Sequence, residues 1–401
     1  MIYSESMFHR LITKHLVALA DQYPVITVTG PRQSGKTTLL RQTFPDKPYI
    51  NLEAPDTRAD LLADPRGFLA RYPDGAIFDE FQRTPDLPSW LQVLVDAKPT
   101  PGRYYLTGSQ QLEVMSRVSQ SLAGRTALLK LLPLSIEELA MAGIEAAPDR
   151  LLHAGGYPRI HALKLDPGQM LADYFETFVQ RDLRQLAQIR DLGLFERFVR
   201  LCAGRVGQLL NLNNLAADTG VSQPTARAWL TLLEANYIVF QLQPHHANLR
   251  KRLTRSPKLY FHDVGLASFL LGINHQSQLA AHPLRGPLFE NLVIAEAMKW
   301  HFNRGRRPKL SFYRDSGGLE VDLLLEHPVN PLAIEIKSGA TVSGDMLSSL
   351  HRLAALAPSA TALRMLVHGG SLNATREGIW LVSLHDFPAA LTHAMALPGE
   401  A

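Results

Sequence analysis

Residues Gly30-Pro31-Arg32-Gln33-Ser34-Gly35-Lys36-Thr37 follow the β-branched run VITVT and precede a leucine-bearing stretch with helical character. That string satisfies the pattern G-x-x-x-x-G-K-[ST], whose structural context is a loop joining a strand to a helix. Its glycines let the backbone curl until successive N–H groups point at phosphate oxygens, and the dipole of the following helix favours the same negative charge. A chain built around this loop is committed to an α/β layer in which a parallel strand carries the loop at its carboxyl end. Lys36 is then expected to reach the β- and γ-phosphates, and the Thr37 hydroxyl to ligate Mg²⁺. ATP and Mg²⁺ are the expected cofactors, with Gly30, Pro31, Arg32, Gln33, Ser34, Gly35, Lys36, Thr37 and Thr38 as the expected nucleotide contacts.

Two further short runs, AIFDE at Ala76–Glu80 and RYYLTGS at Arg103–Ser109, extend the reading to a parallel α/β sheet. Asp79 ends the first run and is expected to hold the Mg²⁺ shell, while Glu80, turned toward the γ-phosphate, is the expected general base. The second run ends in Ser109 and Gln110, at the sheet edge where ligands of open α/β folds bind. Either can sense the γ-phosphate, or Ser109 can cap the next helix. Arg125, in the loop Leu122-Ala-Gly-Arg, can serve a neighbouring subunit's nucleotide as an arginine finger or make a surface salt bridge.

From about Leu134 to Arg190 the pattern turns helical, broken at Gly155, Gly156 and Pro158, and reads as a helical lid. The stretch Leu212–Gly220 followed by Gln223–Glu234 has the helix, glycine turn, helix form of a helix-turn-helix, with Ser222 as cap and Pro224 in the first turn. Ala226, Trp229, Leu230 and Leu233 recur at helical spacing and are expected in the core, which leaves Gln223, Arg227 and Thr231 facing outward, able to enter a DNA major groove. The formal charge of the whole chain is only +4, yet residues 195–260 hold nine Lys or Arg against three acids, a local +6. Such clustering gains affinity for phosphate backbones by counterion release, with Arg250, Lys251 and Arg252 in a basic wing spanning Asn248 to Lys258. Winged helices also bind proteins, so both kinds of partner remain open.

The end of the chain carries a second chemical pattern: Glu320-Val-Asp322, a Pro-containing turn, then Ala333-Ile-Glu335-Ile-Lys337. Strand alternation puts Glu335 and Lys337 on one face. If the two strands form a hairpin, Asp322 and Glu335 can share a hard divalent cation while Lys337 stabilises a phosphorane or orients water. Glu290, on a preceding helix, can join that metal shell. With the expected αβββαβ order, this makes a nuclease-like core.

The chain's 401 residues are enough for several domains, and an apolar content of 46% excludes a disordered class. A single cysteine, Cys202, rules out a disulfide within one chain. No apolar run is long enough to span a bilayer, so the expectation is a cytoplasmic protein with no membrane partner.

Over nearly its whole length, through GPRQSGKTTLL, YINLEAPDTR, AIFDEFQRTPDL, YYLTGSQQ, SLAGRTALLKLLPLS, GGYPR, KLYFHDVGL, GPLFENLV and EVDLLL with IEIKSG, the chain resembles a family of prokaryotic AAA+ type ATPases whose C-terminal half is a domain of unknown function. The resemblance implies an α/β chain with a P-loop AAA+ ATPase core over 1–133, a helical lid over 134–190, a winged helix-turn-helix over 191–260 and an α/β domain over 261–401. That last part resembles the PD-(D/E)XK nuclease superfamily, with Asp322, Glu335 and Lys337 at its motif positions, although Asp322 lies within EVD rather than after a proline. The implied function is an ATP-hydrolysing, DNA-binding motor or remodeller, helicase- or translocase-like, working on duplex or branched DNA as a ring-forming homo-oligomer. Two alternatives stand beside it: a signal-transducing ATP switch whose C-terminal domain binds a protein, and an ATP-gated, metal-dependent nuclease.

Overall fold

The computed structural model describes residues 8–109, 121–179, 191–245, 256–327, 331–357 and 363–396. Its first sheet is five-stranded and wholly parallel, in the order β2-β3-β4-β1-β5. The strands are β1 (Val25–Thr29), β2 (Tyr49–Asn51), β3 (Ala76–Asp79), β4 (Tyr104–Gly108) and β5 (Thr126–Lys130). Alternate side chains feed two cores: Val25, Phe78 and Leu106 pack on one face, and Ile26, Val28, Ile77 and Tyr105 on the other. Strands buried on both faces read as continuous apolar runs, which is why VITVT and AIFD are legible as strands. Because β4 separates β1 from β3, the Gly30–Thr37 loop and the Asp79–Glu80 pair flank the carboxyl end of β4.

The second sheet has eight strands, in the order β12-β13-β11-β10-β9-β8-β6-β7. They are β6 (Val239–Pro244), β7 (Lys258–Phe261), β8 (Leu310–Arg314), β9 (Glu320–Leu325), β10 (Leu332–Lys337), β11 (Leu363–His368), β12 (Ala374–Arg376) and β13 (Ile379–Ser383). The long Arg285–Asn303 helix precedes β8. β6, which leads out of the helical segment, lies parallel to β8, so one sheet runs across residue 260. A single apolar core accordingly extends from Leu134 to Met395, through the helices of 136–177, the two helices Leu212–Thr219 and Gln223–Ala235, and one face of this sheet. No helix among the described residues is long and apolar enough to cross a membrane.

Candidate functional site

The loop after β1 has the backbone its glycines allow. Gly35 takes a left-handed φ of +92° as it enters the Lys36–Thr43 helix. Gly30 lies so close to the next segment that a Cβ there would meet the Leu131 carbonyl oxygen at 2.0 Å. Lys36 Nζ donates to the carbonyls of Gly30 (3.0 Å) and Pro31 (2.8 Å), inside the curl. Thr37 Oγ1 donates to Asp79 Oδ1 at 2.9 Å, which joins the loop to the end of β3. Asp79 also accepts from Tyr49 Oη (2.8 Å) and from Thr107 Oγ1. Burial, together with the bond to Asp79, pushes the Tyr49 hydroxyl well above its ordinary range. Ser34 Oγ is buried with no hydrogen-bond partner among the described residues. A glycine-walled curl, an ammonium, a hydroxyl–carboxylate pair and an unsatisfied buried hydroxyl together fit a nucleoside triphosphate and Mg²⁺.

Glu80 adopts a left-handed φ of +54°, rare for a residue with a side chain, and this turn swings its carboxylate back over the end of β4. There Oε2 accepts from Ser109 Oγ (3.3 Å) and from Gln82 Nε2. Ser109 thus touches the expected base, and Gln82, which no sequence pattern singles out, holds it. Gln110 lies outside the described residues. Arg125 makes a two-pronged pair with Asp96 on the same chain, the salt bridge that is one of its two readings.

Three buried polar links hold distant segments together, of which the first two reach this site and are marked by no sequence pattern. Arg10 is buried and donates to Ser34 O (2.7 Å), Leu132 O (2.7 Å) and Glu138 Oε1 (3.0 Å). Glu138 also closes a capping box with Ser135 at the start of the Ile136–Met141 helix. Directly beside it, Glu296 accepts from Ile136 N (2.7 Å) and Lys299 donates to Leu134 O (2.9 Å), so the Arg285–Asn303 helix grips the same segment. The second link is a 2.8 Å hydrogen bond between Thr29 Oγ1, one residue before the loop, and Tyr237 Oη at the end of the helical pair. The third explains two of the sequence strings: Asp263 accepts from Gly156 N at 2.7 Å, and a Cβ on Gly155 would strike its Oδ1 at 2.1 Å, so GGYPR must pack on FHDVGL without side chains.

The helical pair forms as its sequence dictates. Asn211 caps the first helix, Gly220 ends it at φ +88°, and Ser222 caps the second, with Pro224 in its first turn. Ala226, Trp229, Leu230 and Leu233 are buried as expected, with Trp229 wedged edge-on against Phe195 and Phe198. Arg227 and Thr231 are exposed and Gln223 half-buried, along a shallow cleft shared with Pro224, Ala228 and Leu232. Arg250, Lys251 and Arg252 fall outside the described residues. Lys258, counted in the expected basic wing, is not on the surface: it is 3% exposed, within the second sheet.

In that sheet β9 and β10 form the expected antiparallel pair. Its register, Ile334 opposite Leu323, brings Asp322 and Glu335 to one place. Asp322 Oδ2 accepts from Ile336 N (2.9 Å), and Lys337 Nζ donates to Glu335 Oε1 (2.6 Å), while Glu335 Oε2 is buried with no partner among the described residues. Burial, with Asp322 adjacent, pushes the Glu335 carboxyl up to about 8; burial and Asp322 likewise push Glu290 up to about 7. The expected metal set is not assembled as one cage: among the described residues no three Asp, Glu, His or Cys side chains converge to hold an ion. A cation lies among them instead: Lys258 Nζ pairs with Glu290 Oε1 at 2.9 Å and with the neighbouring Glu320 Oε1 at 2.6 Å. The donors present therefore do not fit a metal shared by Glu290, Asp322 and Glu335.

Comparison with known proteins gives three family matches along the chain: an AAA domain over residues 22–140, the domain of unknown function DUF8612 over 145–277, and the domain of unknown function DUF4143 over 285–387. The Mycobacterium tuberculosis protein Rv2008c is 35% identical over 332 residues, covering 82% of this chain and 74% of its own length, and the Mycobacterium bovis protein Mb2031c matches equally. A Haemophilus influenzae protein is 24% identical over 333 residues, covering 71% of this chain and 77% of its own. Among solved structures, the Walker-type ATPase PABY2304 of Pyrococcus abyssi aligns with a TM-score of 0.44 at 17% identity, covering 67% of this chain and 97% of that one. A variant of Thermotoga maritima RuvB aligns with a TM-score of 0.29 at 18% identity, covering 57% and 88%.

Proposed function

This chain is a P-loop ATPase with an AAA domain over residues 22–140 and belongs to one family with the two mycobacterial proteins, and we propose that it spends ATP on DNA, as a motor or remodeller that assembles into a ring. The observation that carries the reading is the Thr29–Tyr237 hydrogen bond, because it joins the strand bearing the nucleotide loop to the helical pair that would contact DNA. Two sites that share a buried bond can bias each other's equilibrium, and any such bias acts in both directions.

Bound ATP·Mg²⁺ supplies the phosphoanhydride and the Lewis-acid charge that eases its cleavage. Lys36 would leave the Gly30 and Pro31 carbonyls for the β- and γ-phosphates, and the loop N–H groups and Ser34 Oγ would complete the cradle. Thr37 and Asp79, already bonded to each other, would hold the Mg²⁺ side of the site. Glu80 would take the proton of the attacking water, held until then by Gln82 and Ser109. Arg125, released from Asp96, would act across a subunit interface. On the DNA side, the helix-turn-helix, read with β6 and β7 as a winged helix, would present Gln223, Arg227 and Thr231 to the groove, and Arg250, Lys251 and Arg252 to phosphates. The C-terminal sheet is read as a nuclease-like core in which Asp322, Glu335 and Lys337 hold the motif positions.

A second reading is favoured by one feature. The outward face of the Gln223–Ala235 helix carries a single cation, Arg227, among Pro224, Ala228 and Leu232, a surface that suits a protein as well as a polyanion. On that reading the chain is an ATP switch with a protein partner.

The deciding experiment is steady-state ATP hydrolysis with and without linear and branched DNA at low salt. Acceleration by DNA that fades as salt rises, and that fades less in a variant with Arg250, Lys251 and Arg252 reversed to Glu, supports the DNA reading. A folded, nucleotide-binding protein whose rate ignores all DNA moves the reading to the switch.

A further inference from the structure

Glu320 and Asp322 of the second sheet and Glu290 of the Arg285–Asn303 helix are gathered round an ammonium group. Lys258 Nζ lies 2.9 Å from Glu290 Oε1, 2.6 Å from Glu320 Oε1 and 4.0 Å from Asp322 Oδ1, and it sits 5.4 Å from the centre of the Phe312 ring. The neighbouring donors tighten the cluster. Tyr260 Oη donates to Glu290 Oε1, Arg314 pairs with Glu320 Oε2 at 3.0 Å, and Ile336 N donates to Asp322 Oδ2. Each of these donors comes from a strand of the same sheet, and pairing register sets which of them face the cluster.

The geometry points to Lys258 as the resident cation of this cluster: its ammonium occupies the position between Glu290 and Asp322 that a divalent ion would need, and the centre is thereby closed to Mg²⁺ and Mn²⁺. The argument is one of charge and space. A hard dication seeks several oxygens at about 2.0–2.6 Å, and here it would have to approach or displace an ammonium 2.9 Å from Glu290 and 4.0 Å from Asp322, in a buried medium that screens repulsion poorly. Burial alone would favour loss of the Lys258 proton, but the surrounding Glu290, Asp322 and Glu320 hold it firmly charged. The inference deepens the nuclease-like reading of this domain and rests on it: the sheet keeps the core while its centre serves as a structural ion cluster instead of a cutting site.

Calorimetric titration of MnCl₂ into the nucleotide-free full-length chain tests this without reference to DNA or ATP turnover, so it can fail while the DNA reading stands, and the reverse. The parent and Asp322→Asn are expected to bind the same number of Mn²⁺ ions with the same affinity. Loss of one bound Mn²⁺ in Asp322→Asn would overturn the proposal. Lys258→Met keeps the apolar stem and removes the charge; it is expected to gain one Mn²⁺ site, lost again when Asp322→Asn is added. A Lys258→Met protein with parental basal ATPase activity and no added Mn²⁺ site refutes the proposal. Should that variant fail to fold, the comparison of parent with Asp322→Asn decides alone.

Discussion

Replacing Arg10 with Met removes a guanidinium that is 6% exposed while keeping most of its apolar stem. Three acceptors lose a charged donor: Ser34 O, Leu132 O and Glu138 Oε1. Glu138 is left buried, though still held by the N–H groups of Leu11 and Ser135 at 3.0 and 2.9 Å. Breaking a buried ion pair by removing one partner costs about 3–5 kcal/mol, and the two backbone bonds to Glu138 place this case at the lower end. Urea unfolding of Arg10→Met, Glu138→Gln and the double variant would measure it. The double variant should recover part of the loss, with a coupling of about 1–3 kcal/mol, because it no longer buries an uncompensated carboxylate. Since Arg10 also orients the Ser34 carbonyl, ATP affinity should fall in Arg10→Met. A loss below about 1 kcal/mol, or strictly additive singles, would mean that the pair contributes nothing specific and that the link from the nucleotide loop to the Ile136–Met141 helix is incidental.

Lys36→Ala should weaken ATP binding, whereas Glu80→Gln should bind ATP and stall hydrolysis; equilibrium binding and single-turnover rates separate the two, and parental turnover in Glu80→Gln would remove it as the base. Arg125→Ala should abolish hydrolysis with ATP affinity intact, and mixing it with Glu80→Gln should restore part of the rate; no recovery in confirmed mixed oligomers counts against action across an interface. His262 is buried beside Tyr237 and Phe240 with its Nδ1 unpartnered, and burial, with Lys130 and Lys299 adding to it, lowers its pKa to about 3. The folded state therefore binds fewer protons than the unfolded one between about pH 3 and 6.5, and stability is lost as pH falls through that window, by up to about 1.4 kcal/mol per pH unit. Melting temperatures of His262→Gln should depend less steeply on pH below 6.5; slopes identical to the parent would assign the acid sensitivity elsewhere.

What the sequence made legible is what local chemistry fixes. The nucleotide loop, the strands bearing Asp79 and Ser109, the cap at Ser222, the turn at Gly220 and the buried stripe Ala226, Trp229, Leu230 and Leu233 each follow from a short pattern, and the structure reproduces them. The polar partners of the site follow from no such pattern. Arg10 meets Glu138 across 128 residues and Thr29 meets Tyr237 across 208, separations at which no periodicity carries information. One signal was present: GGYPR holds two adjacent glycines and FHDVGL one, and glycines are the residues that let two backbones touch.

Charge counting misled at one residue for a physical reason. Summing cations over residues 195–260 treats each as solvated, but β7 begins at Lys258 and runs beside β6, which pairs with the C-terminal sheet. That pairing carries the Lys258 side chain inward, to the carboxylates of Glu290 and Glu320, instead of outward to phosphate. A cation committed to buried acids releases no counterions, so it would add nothing to the salt dependence of the proposed DNA binding. Removing it from the count lowers the local excess from +6 to +5. The same strand pairing has a second effect. Because β6 follows directly on Tyr237, the residue bonded to Thr29 is anchored in the C-terminal sheet on one side and at the nucleotide loop on the other. Under the proposed function, any shift of β1 during the ATP cycle would reach the helical pair through this one hydrogen bond, which makes Tyr237→Phe the variant that tests the coupling.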